Sequence, residues 1–197
     1  MNWKTLFNPF EKYSEKTLLI FGIVATFLGS FVGFLMKARF DGILDMHIVQ
    51  NIKWYQPFLD NLINITLLSS FLIFLGKAIN RKTRFIDILV TVMICRIPIY
   101  LSSLSNIGGF LDQSSRSLLD SVVNNGMTTS HIDMKDLIIV TILGIIVIPF
   151  IIWMIVLLWK GFKTATNNKT IKGVLFFIKV VIATELISKL IIKEINF

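Results

Sequence analysis

The chain has few of the residues on which soluble catalytic domains depend. Its 197 residues include one cysteine, four prolines and two histidines, and only 16% of them are charged. The single cysteine, Cys95, excludes an internal disulfide. The sequence contains no HExxH motif, no phosphate-cradling glycine loop and no nucleophile–base pattern. We therefore predict that the chain is not an enzyme, has no catalytic residue and needs no cofactor.

Metal-ligating residues are equally sparse. Two clusters combine aspartates with one histidine each. The first is Asp41, Asp45 and His47, and the second is His131, Asp133 and Asp136. Structural and catalytic zinc sites use three or four protein ligands, most of them His or Cys. Neither cluster reaches such a set, so we predict no metal site.

Hydrophobic residues are what the sequence has in abundance. They make up 54% of the chain, with 17 Phe, and the mean hydropathy is +0.74. This is not the composition of a soluble domain. Apolar stretches of about 20 residues, the length that crosses a hydrocarbon core, occur at residues 17–36, 57–75, 86–104, 137–159 and 174–192. The sequence therefore predicts an all-α, polytopic transmembrane bundle of five spans.

Lysine and arginine residues near the span ends predict how this bundle is oriented. Eleven of them lie on the side of the N-terminus, chiefly at residues 77–84 and 160–172, and six lie on the other side. The positive-inside rule then places the N-terminus in the cytoplasm and the C-terminus outside. We expect the positive charges to bind anionic lipid headgroups of the bilayer and not nucleic acid.

Residues 1–16 differ in pattern from the rest of the chain. Their apolar residues recur at helical spacing between lysines, which is typical of a segment lying in the membrane interface. We predict an interfacial amphipathic segment at 1–16, regular from Pro9 onwards, and a single membrane domain at 17–197. The segment serves either as a surface anchor for the first span or as a docking helix for a partner.

The third span carries Arg96 and Pro98 near its middle. A charge at the centre of a span costs about 2.5–3.5 kcal/mol on insertion scales, so Arg96 should face the bundle interior and have a partner there. Pro98 lacks the amide that closes a helical bond, so the helix should kink or open at this point. Tyr100 falls on the same face as Arg96.

The fifth span supplies charges that match Arg96 in depth. Its charged residues fall on one helical face, which we expect to look into the bundle. We predict that Arg96 pairs with Glu185, although Glu185 has Lys189 one turn away as an alternative partner and Arg96 has the carbonyls freed by Pro98. The candidate intramembrane polar network comprises Arg96, Pro98, Tyr100, Lys179, Glu185 and Lys189.

Two further patterns predict how the helices pack. In the first span, Ala25, Gly29 and Gly33 form a stripe of small residues, which permits close approach of another helix. The second span concentrates its polar side chains in its outer half, where a water-filled vestibule or hydrogen bonds between helices explain them. Beyond the third span, apolar residues between 110 and 122 predict an amphipathic helix on the outer surface.

With these residues in hand, the chain resembles the Yip-domain family of Ypt/Rab-interacting five-span membrane proteins, in its short bacterial form. The resemblance covers essentially the whole chain. It is carried by Asn8-Pro9-Phe10, the small-residue first span, Arg96-Ile97-Pro98, and the link WKGFKTATNNKTIKG with the ATELISK that follows it. It implies a protein of the bacterial cytoplasmic (inner) membrane. In eukaryotic members it implies trafficking through a long N-terminal region that meets Rab GTPases, whereas only 16 residues precede the first span here.

Three functional hypotheses follow. The leading one is a non-enzymatic integral membrane protein that organises lipids, a membrane-protein partner or a second copy of the chain. The alternative is a small transporter or channel in which Arg96, Lys179 and Glu185 line a polar pathway, since intramembrane charges are functional candidates. An intramembrane enzyme is the third, and the spans contain no motif that supports it.

Overall fold

The computed structural model of the protein describes residues 3–125, 133–168 and 170–195. Regular structure in these residues is almost entirely helical. In chain order, the helices are α1 (Trp3–Phe7), α2 (Glu15–Leu35), α3 (Gln56–Ile79), α4 (Phe85–Cys95), α5 (Ile97–Ser102), α6 (Phe110–Asn125), α7 (Met134–Thr166) and α8 (Ile171–Ile195). Short 3-10 turns cover Pro9–Glu11 and Ser103–Gly109. The predicted all-α class is confirmed.

Within the described residues, four helical stretches are long and apolar enough to cross a membrane: Glu15–Leu35, Gln56–Ile79, Phe85–Val123 and Met134–Thr166. They contain the second, third and fourth predicted spans, and the first, predicted at 17–36, ends one residue beyond Leu35. The fifth predicted span lies in α8, which is a continuous helix of 25 residues. Because α8 carries more charges than the other four, its crossing of the membrane stays a prediction, as does the orientation of the bundle.

The core of the bundle lies around α4. This helix contacts α2, α3 and α7, and Ile88, Val92 and Cys95 on it have no exposed surface. α8 packs along α3. The outward faces of α2 and α7 expose large apolar side chains such as Phe27 and Ile145, as expected for surfaces that face lipid.

The predicted break in the third span is present. α4 ends at Cys95, and α5 begins at Ile97 with Pro98 at its second position. The amides of Ile99 and Tyr100 both donate to the Arg96 carbonyl, at 3.1 and 3.2 Å. The chain thus closes a tight turn at Arg96 and continues as helix.

The small residues of α2 lie against aromatic rings. A Cβ atom at Gly29 would overlap the ring of Tyr100, and one at Gly33 would lie 2.6 Å from Cε2 of Phe40. Ala25 is half-buried. The stripe therefore faces α5 and the connection after α2.

That connection, residues 37–55, folds into the bundle, which the sequence analysis did not predict. It contains a two-stranded antiparallel hairpin, β1 (Ala38–Arg39) with β2 (His47–Ile48), in which Ala38 lies opposite Ile48. Between the strands, residues 40–46 form what we call the inner loop. Phe40 and Ile43 of this loop have no exposed surface and belong to the core.

Two peripheral segments pack on α7. In the N-terminal segment, the indole of Trp153 donates to the Leu6 carbonyl at 3.1 Å, and its ring centroid lies 6.3 Å from that of Phe7. The predicted amphipathic helix beyond the third span is confirmed as α6. It lies against α7, where Asp136 accepts hydrogen bonds from Ser117 and Ser114.

Candidate functional site

The polar side chains of the bundle converge on the inner loop. Buried non-helical backbone needs hydrogen-bond partners for its N–H and C=O groups, because it has no regular ladder of its own and no access to water. Three helical elements supply those partners here: α3, the α4–α5 junction and α8. We take the inner loop and these side chains as the candidate site.

The α3 helix fixes the start of the loop. Arg39 donates from Nε and Nη2 to the two carboxylate oxygens of Asp60, at 2.6 and 2.7 Å, and the Phe40 amide donates to the same carboxylate at 3.2 Å. Both side chains of the pair are buried, at 7% and 1% exposure. One turn further along α3, Asn64 donates to the Phe40 carbonyl at 2.6 Å and accepts a hydrogen bond from Ser188 of α8. The outer-half polar residues of the second span thus bond to the loop and to neighbouring helices.

Arg96 holds the middle of the loop. It is fully buried, donates from Nη1 to the Ile43 carbonyl at 3.2 Å, and donates from Nε and Nη2 to Oδ1 of Asn61 at 3.1 and 2.8 Å. Asn61 in turn donates to Ser30 of α2 at 2.8 Å. The Arg96 Cζ atom lies 6.0 and 5.9 Å from the ring centroids of Phe40 and Tyr100, a distance at which aromatic faces stabilise a cation.

Glu185 holds the other side of the same peptide. Its Oε2 accepts from the amides of Ile43 and Leu44 at 2.6 and 2.9 Å. The predicted direct pair of Glu185 with Arg96 is therefore wrong. One peptide group separates them, because Arg96 donates to the carbonyl of Ile43 and Glu185 accepts from the amide of Leu44, which belongs to the same peptide group.

The predicted inward face of α8 also needs correction. Lys179 is exposed, with its Nζ 5.8 Å from the ring centroid of Phe176 on its own helix. The buried residues of α8 are Gly173, Phe177, Val181, Thr184, Ser188 and Ile192. Their spacing of three or four residues forms a stripe that buries apolar and small side chains, and burial of that stripe decides the rotation of the helix. Lys189 lies at its margin, 3.3 Å from Glu185 and 2.6 Å from Asp45.

Charges around the inner loop are close to balanced. The cations are Arg39, Arg96 and Lys189, and the carboxylates are Asp41, Asp45, Asp60 and Glu185. His47 Nδ1 lies 3.0 Å from a carboxylate oxygen of Asp41. The neighbouring carboxylate of Asp41 raises the pKa of His47. Burial alone would raise the pKa of Asp41, but the neighbouring imidazole of His47 lowers it. Protonation of His47 makes the set neutral.

We expect the His47–Asp41 pair to make stability depend weakly on pH. Since the pKa of His47 is raised on folding, its contribution is complete below the ordinary histidine value of about 6.5 and is lost as the pH rises through the folded-state pKa. Since the pKa of Asp41 is lowered, its contribution is present above about 3.9 and is lost as the pH falls through its folded-state value. Both side chains are partly exposed, so the effect should be about 0.2–1 kcal/mol.

Thermal melts of the wild type and His47→Gln between pH 4 and pH 9 would measure this effect. The wild type should be the more stable protein near pH 5, and the two curves should meet at high pH. A difference that persists unchanged above pH 8 would show that His47 acts through packing and not through its charge.

The site is chemically a clamp on a polypeptide backbone. Asp60 and Glu185 accept from loop amides, Arg96 donates to a loop carbonyl, and Arg39 pairs with Asp60. In the described part of the chain, no three His, Cys, Asp or Glu side chains cluster closely enough to hold a metal, and His131 lies outside that part.

Sequence reasoning singled out Arg96, Pro98, Tyr100, Glu185 and Lys189. All but Pro98, which is buried in α5, contact residues of the inner loop. The same reasoning missed Arg39 and gave Asp60, Asn61 and Asn64 only a general role. Asp60, Asn61 and Asn64 are spaced at i, i+1 and i+4 on one helical face, and Arg39 precedes them in the connection. This pattern was the signal that could have indicated the site. Comparisons of the chain with family models, with curated proteins and with solved structures give no match.

Proposed function

We propose that the chain is a non-enzymatic integral membrane protein of the Yip-domain type, which organises anionic lipids and a membrane-protein partner at one end of its bundle. The observation that supports this most is where the two basic tracts lie. Asn80, in the first tract, donates to the carbonyl of Thr166, in the second, at 3.2 Å. The described residues of the two tracts are thereby held at the same end.

Most cations at this basic end are exposed, and Arg84 among them also pairs with Asp87. Among the described residues, the exposed ones are Lys77, Arg81, Lys82, Arg84, Lys160, Lys163 and Lys172, and Lys169 lies outside the described residues. Each Lys or Arg near an anionic surface contributes about 1 kcal/mol of attraction. A cluster of this size favours a stable contact with anionic lipid.

The same geometry gives the transporter alternative no support. Arg96 is enclosed and hydrogen bonded to Asn61 and Ile43, whereas Lys179 lies on the outside of α8. The three charges therefore do not line a common pathway. The Arg96-Ile97-Pro98 segment that carries the family resemblance acts instead in holding the inner loop.

Lipid retention and flux measured on the same preparation would test the proposed function. The purified chain should retain phosphatidylglycerol from mixed vesicles in preference to phosphatidylcholine. Replacing Lys77, Arg81 and Lys82 by Gln should reduce that preference. The matched control replaces three exposed lysines outside this end, Lys53, Lys135 and Lys193, and should leave it unchanged.

Proteoliposomes of the same protein should show no solute flux above protein-free vesicles. Flux above that level would favour the transporter. Equal loss of the preference for phosphatidylglycerol in both triple variants would mean that the basic end does not determine lipid binding.

The orientation gives a separate prediction. In a Cys95→Ala background, cysteines at Arg81 and Lys163 should react with an impermeant reagent only after the cells are opened, because both lie in the tracts predicted to be cytoplasmic. A cysteine at Lys53 should react from outside intact cells.

A reporter active only in the cytoplasm should be silent after Phe197, since α8 is predicted to cross. External labelling at Arg81 would reverse the orientation, and an active reporter would leave α8 in the interface.

A further inference from the structure

A cavity of about 710 Å³ lies between the hairpin, α5, α6 and the N-terminal half of α7. Its volume is within the range of about 300–1,000 Å³ that is typical of small-molecule sites. It is separate from the basic end, because it is lined by residues 44–50 and by α6. Neither the clamp on the inner loop nor the proposed lipid contact at the basic end uses it.

One wall of the cavity is apolar and follows α7. Gly144, Val147 and Ile151 form this wall, and Ile99 of α5 lines the cavity with them. From Gly144 to Ile151 the helix rises about 10 Å. A Cβ atom at Gly144 would have no neighbour within 4 Å, so the space extends up to the helix backbone. This wall fits a hydrocarbon chain.

The remaining lining carries both signs of charge. Arg116 donates to Oδ1 of Asp112 from Nε and lies 2.7 Å from the same oxygen through Nη2. The two side chains are 34% and 18% exposed. A guanidinium has five N–H donors and binds phosphate oxygens well, so Arg116, which lines the cavity, keeps donors beyond the two that bind Asp112. Asp45 is half-exposed and binds Lys189 through one oxygen, so its other oxygen and the second oxygen of Asp112 provide acceptors for an ammonium group.

We propose that this cavity binds a phospholipid with a zwitterionic ethanolamine headgroup. One acyl chain lies along α7 between Gly144 and Ile151, the phosphate contacts Arg116, and the ammonium contacts Asp45 and Asp112. Adjacent charges of opposite sign favour a zwitterion over a headgroup with a net negative charge. The apolar outer face of α7 is where an acyl chain would enter from the bilayer.

Lipid exchange with defined vesicles would test this site. The full chain, purified in a mild detergent, is incubated with vesicles of equal parts phosphatidylethanolamine and phosphatidylglycerol, re-isolated, and analysed for retained lipid by mass spectrometry. Gly144→Phe adds a ring at the apolar wall, at a position where a Cβ atom has no neighbour within 4 Å. Displacing about two methylene groups corresponds to about a tenfold loss of retained phosphatidylethanolamine. The control, Ile145→Phe, changes the adjacent, exposed position.

We expect the wild type and Ile145→Phe to retain phosphatidylethanolamine and Gly144→Phe to lose it, with phosphatidylglycerol at the basic end unchanged. Arg116→Gln should lower retained phosphatidylethanolamine without filling the apolar wall, and it provides the test if Gly144→Phe melts at a lower temperature. Equal phosphatidylethanolamine in the wild type and both cavity variants would overturn the proposal. Retention in which only phosphatidylglycerol responds to these variants would also overturn it, since the occupant would then be anionic.

Discussion

Arg96→Ala should lower the free energy of unfolding by about 3–5 kcal/mol, a range typical of breaking a buried charged contact. The substitution removes three hydrogen bonds at once and leaves Oδ1 of Asn61 and the carbonyl of Ile43 without their donor. A buried acceptor that loses its partner costs more than the bond itself contributed. The loss of the arginine side chain also leaves a cavity between Phe40 and Tyr100.

The double substitution with Glu185→Ala separates two explanations of this loss. Arg96 and Glu185 hold opposite sides of the Ile43 peptide, so once one hold is gone the loop is already loosened. The combined loss should therefore be smaller than the sum of the single losses, with an interaction of about 0.5–3 kcal/mol. Lys179→Ala, on the same helix but exposed, is the control and should have little effect.

Melting in detergent and steady-state level of the single and double variants would measure both quantities. Strictly additive losses would mean that Arg96 and Glu185 stabilise different parts of the bundle. The inner loop would then not be the element that connects them.

Asp60→Ala should be comparably severe, at about 3–5 kcal/mol. Asp60 accepts from two nitrogens of Arg39 and from the Phe40 amide, and its loss leaves a guanidinium that is 7% exposed without a counter-ion. Asp87→Ala is the matched control, because Asp87 also forms a close pair with an arginine, Arg84, but at the exposed basic end. That control should change stability far less.

A second variant distinguishes a buried charge from general damage at this position. Replacing Arg39 by Met together with Asp60 by Leu removes both charges and keeps apolar volume, so it should recover much of the loss. If Asp60→Ala is no more harmful than Asp87→Ala, the Arg39–Asp60 pair does not hold the loop.

Much of this fold was readable from the sequence because lipid imposes simple rules. Stretches of about 20 apolar residues predicted the helices. The second, fourth and fifth predicted spans lie within longer helices, the first ends one residue beyond α2, and the third extends across α4 and α5 into the 3-10 turn that follows. Pro98 predicted the break, since a missing amide acts locally. Such features depend on neighbours along the chain and need no knowledge of the rest of the fold.

The inner loop escaped prediction because its burial depends on distant residues. No pattern in residues 40–46 predicts a buried segment, and the charges of Asp41 and Asp45 argue against one. The loop is buried because Asp60, Arg96 and Glu185, on three different helices, satisfy its backbone and its flanking arginine. Glu185 lies 142 residues from Ile43, and no local pattern records such a contact.

The charge pairing failed for a related reason. The contact between Arg96 and Glu185 was predicted because the two residues lie at similar depth in their spans. That prediction assumed that the bundle consists of helices alone. A non-helical segment between them offered both an N–H and a C=O group, and each charged side chain found a closer partner in it. On α8, the stripe from Phe177 to Ile192 determined the rotation, and Lys179 remained outside.

The bond from Glu185 to the hairpin between the first two long helices has a consequence for biosynthesis. Segments of a chain emerge from the ribosome in order, and contacts with a large sequence separation form late. The inner loop therefore lacks its hydrogen bonds to Glu185 until α8 has been synthesised and packs on α3. During that interval the amides of Ile43 and Leu44 lack the carboxylate that accepts from them in the folded protein. Folding of the inner loop is therefore complete only after α8 has been synthesised.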